Sequence, residues 1–388
     1  MRFPEFTDEW KECKITDYGT VVTGSTPSTK DVENYEDDGF LWASPADIDG
    51  SKFIERTKIT LSSKGFNRTR KLPPLSVLVV CIGSIGKIAM AKNEMATNQQ
   101  INSIVVNPLH SPGFVYYAII SRFRSYLSAV AVQVVPIISK STFERLPNST
   151  TSLPEQRKIV ALLSLIDERI EVQNAIIKEQ EAQKAALLRR LFDRSLRFPE
   201  FTDEWKECQI SDYGTVVTGS TPSTKDVENY EDDGFLWASP ADIDGSKFIE
   251  RTKITLSSKG FNRTRKLPPL SVLVVCIGSI GKIAMAKNEM ATNQQINSIV
   301  VNPLYSPEFV YYAIISRFRS YLSAVAVQVV PIISKSTFER LPNSTTSLPE
   351  QRKIAALLSA IDERIAVEKE YAALLQKQKA YLLRQMFV

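Results

Sequence analysis

The chain has one histidine, His110, and four cysteines, and it is short of the groups on which most enzyme chemistry is built. A histidine-based catalytic triad or a mixed zinc site would have to exist around His110 alone, which makes both poor readings. Cys13, Cys81, Cys208 and Cys276 show no CxxC or CxxH spacing, so free and mostly buried thiols are expected. No run approaches the roughly 18 apolar residues that cross a bilayer, and residues 1–10 are polar and acidic, so a cytoplasmic protein is expected. Asn-Pro-Pro-Tyr and Asp-Pro-Pro-Tyr, the motifs that hold a flipped adenine, are missing, as is a glycine-rich turn for S-adenosylmethionine. A complete Walker A sequence and a nuclease-type Asp…Glu-x-Lys cluster are missing too. The expectation is a non-catalytic chain that binds no metal and no cofactor of its own.

What is present is a repeat. Residues 2–170 recur as 197–365 at an offset of 195, with six differences: Lys14/Gln209, Thr16/Ser211, His110/Tyr305, Gly113/Glu308, Val160/Ala355 and Leu165/Ala360. A period this long is a whole domain rather than a solenoid unit of roughly 20–50 residues. The four cysteines are therefore two positions used twice. Beyond Ile170 and Ile365 identity falls, but Lys184, Leu187, Leu188, Arg189 and Phe192 still match Lys379, Leu382, Leu383, Arg384 and Phe387.

Those tails read as long helices. Ser152-Leu153-Pro154-Glu155 and Ser347-Leu348-Pro349-Glu350 each spell a capping box with proline at the helix start. Apolar residues then recur every three or four positions, at Ile159, Leu163, Ile166, Ile170, Ile177, Leu187 and Leu191, and at Ile354, Leu358, Ile361, Ile365, Ala372, Leu375, Leu382 and Met386. Gln173, Gln180, Lys184, Glu368 and Lys379 interrupt the seam, as register-fixing residues do in a coiled coil; a mixed partner surface would look similar. With no glycine or proline from Glu155 to Phe192 the helix would be about 58 Å long. Domain, helix, domain, helix implies two antiparallel helices forming a coiled-coil spacer and a pseudo-twofold relation. The predicted divisions are 1–153 (first domain), 154–196 (first spacer helix), 197–348 (second domain) and 349–388 (second spacer helix).

Each domain reads as strand-rich α/β (α+β). Strands are expected at 76–81, 87–91, 101–106 and 133–138, with one amphipathic helix at 114–130. The formal charge of +5 is too small to identify a polyanionic partner, so the placement of polar segments decides. Residues 23–30 offer small hydroxyls and a lysine: Ser25, Thr26, Ser28 and Lys30. Residues 64–71 are the densest basic patch, with Lys64, Asn67, Arg68, Arg70 and Lys71. The glycine turn 83–87 ends in Lys87; Cys81 and Ile88 break the P-loop pattern there, so nucleotide binding is rejected. Asn98 and Gln99 carry amides of the kind that pair with adenine, and Lys140 follows a serine that could cap a short helix. The second copy supplies Ser220, Thr221, Ser223, Lys225, Lys259, Asn262, Arg263, Arg265, Lys266, Lys282, Asn293, Gln294 and Lys335. All are candidate DNA contacts, against the alternative of ordinary turns, solvated loops and buried bracing amides. The acidic stretch Asp31, Glu33, Glu36, Asp37 and Asp38 should avoid DNA.

Taken in order, residues 23–28, Trp42, Asp47-Ile48, the 83–87 turn, Asn98-Gln99-Gln100 and the Leu-Pro-Glu-Gln-Arg-Lys-Ile helix start resemble the specificity subunits of type I restriction-modification enzymes, and nearly all of them recur in the second half. The resemblance covers the whole chain. It implies two target recognition domains on double-stranded DNA and a helical spacer that holds two DNA adenine methyltransferase subunits, with two motor-nuclease subunits where cleavage occurs. S-adenosylmethionine, and ATP with Mg²⁺, would belong to those partners. Members of that family generally carry two unlike recognition domains; the near-identity here implies a gapped palindromic target. A stand-alone DNA-binding, antirestriction or regulatory protein, or a fusion of one half-subunit with itself, is the alternative.

Overall fold

The computed structural model describes residues 2–129, 137–325 and 332–387. The first copy runs β1 (Lys11–Lys14), α1 (Ile15–Tyr18), β2 (Gly19–Thr23), a 3-10 turn (Val32–Asn34), β3 (Tyr35–Ala43), β4 (Phe53–Ile54), β5 (Thr60–Leu61) and α2 (Ser63–Asn67). It continues with β6 (Val77–Val80), β7 (Ile88–Ala91), β8 (Ala96–Thr97), β9 (Ile101–Val106), α3 (Pro112–Ala129), α4 (Lys140–Glu144), β10 (Pro147–Thr150) and α5 (Leu153–Phe192). The second copy repeats the order from β11 (Lys206–Gln209) to β20 (Pro342–Thr345) and from α6 (Ile210–Tyr213) to α10 (Leu348–Met386).

Period-two alternation explains the layers. In the five-stranded sheet β2-β9-β6-β7-β4, every residue of the central strand β6 is buried, yet its two faces serve different cores. Val77 and Val79 join Ile88, Met90 and Ile104 beneath α3, while Leu78 and Val80 join Ala89, Ala91 and Ile101 on the other side. Such a strand reads as a continuous apolar run because both faces are covered. A three-stranded sheet β5-β3-β8 flanks it, and β1 pairs antiparallel with β10, Lys11 opposite Thr150, which ties the two ends of the domain together.

One expectation needs revision. The helix at 114–130 is not amphipathic: α3 starts at Pro112, and Phe114, Val115, Tyr116, Tyr117, Ala118 and Ile119 are six consecutive buried residues. This first half lies between the sheet and residues of the long helices and leaves no face for water, whereas Ser125, further along, is exposed. Most of the strand expected at 133–138, and the last residue of that helix, fall outside the described residues. Ile137 forms an antiparallel bridge with Ile82, and the Ile138 N–H donates to the Cys81 carbonyl at 2.8 Å.

The long helices do not form a layer apart from the domains. Two compact units exist, Met1–Asn174 with Glu370–Val388, and Ala175–Lys369, and each takes a segment from both helices. In the first unit Ile159, Leu163 and Ile166 of α5 and Leu382, Leu383, Met386 and Phe387 at the end of α10 share the main core with α3. Phe387 packs on Trp10 and Phe114 at ring-centroid distances of 5.8 and 5.3 Å. In the second unit Phe192 does the same with Trp205 and Phe309, at 5.9 and 5.4 Å. The segments run antiparallel within a unit: in the second, Glu181 faces Lys369 while Lys184 faces Asp362.

The helix starts also differ from a simple capping box. The Glu155 carboxylate is turned toward the N-terminal arm, accepting from Arg2 Nε and Nη2 at 2.7 and 2.8 Å, from Trp10 Nε1 at 3.4 Å and from the Thr151 hydroxyl. Burial alone would raise its pKa, but these donors hold it below the usual carboxylate range. Glu350, with Arg197 and Thr346, repeats the arrangement and the direction.

Two of the six sequence differences compensate each other. A Cβ placed on Gly113 would lie 2.8 Å from Val160 Cγ1, and the second copy has Glu308 in place of the glycine and Ala355 in place of the valine. Gly113→Glu should therefore destabilise the first unit by about 1–3 kcal/mol through overpacking, and Val160→Ala in the same chain should recover most of that loss, as read from urea midpoints in a double-mutant cycle. Equal losses for the single and the double variant would refute the pairing.

The glutamate anchors predict acid sensitivity with a definite sign. A carboxyl with a depressed folded pKa adds stability above its unfolded value, and that stability is lost as pH falls through the folded one. Stability should thus decline from about pH 5 downward. A chain carrying Arg2→Ala and Arg197→Ala should start less stable and show a flatter decline over that interval in pH-dependent urea melts.

Candidate nucleic-acid interface

One end of the sheet gathers the polar segments. Gly24 is the hinge: its N–H donates to the Ile101 carbonyl at 3.0 Å, and a Cβ there would stand 2.2 Å from the Asn98 carbonyl oxygen, so only glycine permits the approach. The Ser25 N–H donates to the Thr97 carbonyl at 2.8 Å, which lays the hydroxyl loop along the turn between β8 and β9. The exposed Thr26 hydroxyl then reaches the Gln99 side-chain carbonyl. Arg70 donates from Nη1 to the Thr23 carbonyl at 2.7 Å, and its backbone N–H meets the Ser25 hydroxyl at 3.3 Å. The glycine turn joins from the other side, with the Cys81 N–H on the Gln100 carbonyl at 2.8 Å. Ile138 on Cys81 brings the α4 start and Lys140 to the same end. Four sequence segments thus meet through backbone hydrogen bonds and the Arg70 side chain, and a fifth is attached through Cys81.

The individual side chains divide into those that face outward and those that brace. Thr26, Ser28, Lys30 and Gln99 are exposed, and Lys30 has no ion pair or hydrogen bond among the described residues. Lys71 is exposed but steadied, its Nζ 2.7 Å from Asn67 Oδ1 and 4.9 Å from the Phe66 ring centre. Lys87 is half-buried and donates to the Pro45 carbonyl at 2.9 Å, and buried Asn98 donates to Gln100 Oε1 at 2.9 Å; both hold loops. Lys140 lies 3.6 Å from Glu144 on its own helix.

The basic patch at 64–71 is largely neutralised, and by the acidic stretch expected to stand apart from it. Lys64 and Arg68 each pair with Asp31, at 3.1 and 2.8 Å, and Lys64 also pairs with Glu33. Hydrogen bonds from Lys64 and then Arg68 hold the Asp31 carboxyl below its ordinary value. Buried Asn34 completes the clasp, accepting from Arg68 at 3.1 Å and donating to the Ser28 carbonyl at 3.0 Å. The 31–34 segment and α2 therefore act together to support the hydroxyl loop.

Two aromatic residues outside the candidate contacts also belong to this region. The Trp42 indole N–H donates to the Ser25 carbonyl at 3.0 Å, and Phe40, partly exposed, stacks on Phe66 with centroids 4.3 Å apart. No local signal marks Phe40, whose partner lies in a separate helix. The second copy reproduces these contacts: Gly219 on Ile296, Arg265 on Thr218, Thr221 on Gln294, Trp237 on Ser220, Lys259 and Arg263 on Asp226, Lys266 on Asn262, Lys282 on Pro240, Asn293 on Gln295 and Lys335 near Glu339. Ser223 and Lys225 are exposed like Ser28 and Lys30. Among the described residues no group of three or more His, Cys, Asp or Glu side chains could hold a metal ion, and no helix is long and apolar enough to cross a membrane. All four cysteines are free, and burial pushes the Cys81 thiol up to about 11.

Comparison with known proteins gives one consistent picture. A family model described as the type I restriction modification DNA specificity domain matches residues 7–182 and again 202–377. The chain is 29% identical over 191 residues to the type I restriction enzyme MjaIX specificity subunit of Methanocaldococcus jannaschii, covering 48% of this chain and 44% of that protein. It is 37% identical over 112 residues to the type I restriction enzyme HindI specificity subunit of Haemophilus influenzae, covering 28% and 24%. Each match thus spans less than half of the relative's own length. The fold is similar to that of the S subunit of a type I restriction-modification system from M. genitalium, with a TM-score of 0.60 at 17% identity over 98% of this chain and 96% of that one.

Contact of this sheet end with DNA predicts two separable defects in anisotropy titrations. Lys71→Ala with Lys266→Ala should weaken binding to all sequences alike and reduce the slope of log affinity against log salt by about two. Gln99→Ala with Gln294→Ala should keep the slope and lose about 1–3 kcal/mol of discrimination at particular base pairs. An unchanged slope in the lysine variant and unchanged discrimination in the glutamine variant would remove this surface from consideration.

Proposed function

Given that the chain belongs to the type I restriction modification DNA specificity family, we propose that it is the DNA-recognition subunit of a type I restriction-modification complex and reads a gapped palindrome. Double-stranded DNA is the ligand of both polar sheet ends. Hydroxyls and exposed lysines there suit phosphate contacts, and the amides suit base edges. The chain directs, and does not perform, adenine methylation by two methyltransferase subunits, and cleavage where two motor-nuclease subunits are present. S-adenosylmethionine, and ATP with Mg²⁺, are bound by those partners.

One observation carries the palindrome: the polar ends of the two copies have the same side chains and the same hydrogen bonds, and none of the six differences falls among them. Several differences lie instead toward the long helices, where Gly113 meets Val160 and the His110 ring lies 3.3 Å from Gln156 at the start of α5. Two equal readers in one chain suit a site built of two copies of one half-site, and inverted half-sites are what paired equal readers commonly take. Partner subunits rather than a stand-alone role are favoured by the helix surface of the first unit. There Leu165 and Val172 of α5 and Leu374 and Tyr381 of α10 are 49–61% exposed, more apolar surface than a spacer needs for itself.

Sequencing the methylated bases of a host that expresses the chain with its methyltransferase subunit tests this directly. The expected motif has two halves that are inverted copies of one short sequence, separated by about half to one helical turn of DNA. Two unlike half-sites would overturn the palindrome, and an unmethylated host would overturn the recognition role.

A further inference from the structure

The heptad seam of the long helices is interrupted by Lys184 and Lys379, which the repeat makes equivalent to each other. In the first unit Lys379 Nζ of α10 lies 2.5 Å from Asp167 Oδ1 of α5, and in the second Lys184 of α5 pairs with Asp362 of α10. The pairs are well shielded, with side-chain exposures of 22% and 9% in the first and 21% and 18% in the second. By contrast Lys369–Glu181 is about half exposed at both partners. Each shielded pair is also gripped by its domain. The Tyr117 hydroxyl of α3 donates to Asp167 Oδ2 at 2.6 Å and its ring lies 5.8 Å from Lys379 Nζ, while Lys52 donates to Tyr117 at 3.1 Å and to Ser164 of α5 at 2.8 Å. Tyr312, Lys247 and Ser359 repeat the arrangement, with Tyr312 donating to Asp362 at 2.5 Å and Lys247 to Ser359 at 2.6 Å.

We infer that these two lysine–aspartate pairs are the positioning residues that fix the register of α5 against α10, and so set the single gap length of the recognised site. The register part rests on geometry alone; the gap part rests on the DNA-reading role proposed above. A slip of one heptad in one direction places Lys379 opposite Asn174 and Lys184 opposite Lys369; in the other it places them opposite Val160 and Ala355. Either slip removes the ion-pair lysine from two shielded aspartates and leaves only the more distant Lys52 and Lys247 near them, and breaking a shielded pair in this way is costly. The apolar seam tolerates a heptad slip far better, because its pattern repeats every seven residues. The ionic pairs, unlike the seam, recognise only one alignment. One heptad is about 10 Å along a helix, which corresponds to about three base pairs of duplex.

The test uses the full chain with its methyltransferase subunit, in three forms: unaltered, with Lys184→Asp and Lys379→Asp, and with those changes plus Asp167→Lys and Asp362→Lys. In the reversed-lysine form, amide exchange in α5 and α10 should speed up at least about tenfold. Its methylated motif should lose its single gap, through failure to methylate or through new gaps shifted by about three base pairs. The four-fold exchange should restore slow exchange and the original gap. Normal exchange and an unchanged gap in the reversed-lysine form would overturn the inference. So would a four-fold variant that folds by circular dichroism but stays fast in exchange. If the unaltered complex methylates nothing, the DNA-reading role fails, while the exchange data still decide the register.

Discussion

The structure depends on a reciprocal closure of its two main cores. The first sheet and α3 bury one face against α5, but the gap that remains is filled by Leu382, Leu383, Met386 and Phe387, which follow the second domain in sequence. The second core is closed in the same way by Leu188, Leu191 and Phe192, which follow the first. Burying a large apolar side chain contributes about 1.5–3 kcal/mol, so these few residues matter on the scale of a domain's net stability. Everything at the polar end relies on this closure, since the strands that present Gly24, Gln99 and the 83–87 turn belong to the sheet that α3 covers.

Much of this architecture is legible in the sequence because the relevant signals are local. The Pro-Glu helix start, the absence of glycine and proline up to Phe192, and the apolar runs of β6, β7 and β9 each state their structure within a few residues. What sequence reading misses is set by partners far along the chain. β1, with the sequence Lys-Glu-Cys-Lys, has no strand pattern of its own and exists because β10 pairs with it. The α3 helix reads as amphipathic only if its second cover, the helix pair, is left out of account.

The candidate interface shows the same division. The grouping of hydroxyl, amide and glycine segments follows from short motifs, and the backbone brings them together. The state of each cation does not follow from those motifs. Lys64 and Arg68 belong to the densest basic run, yet Asp31 and Glu33 neutralise them from the other side of a strand pair, whereas Lys30, inside a run of small residues, stays outward. Exposed ion pairs of this kind contribute little to stability, but they decide which charges remain for a polyanion.

The reciprocal closure also orders the birth of the molecule. The second unit, Ala175–Lys369, is one continuous stretch of chain, whereas the first is split and ends with Glu370–Val388. During synthesis the first domain emerges early but lacks the residues that seal it, and it waits with an unsealed apolar face while the whole second unit is made. The domain translated first is the last to be completed, and for that interval its open core is apolar surface of the kind that makes folding intermediates prone to aggregate.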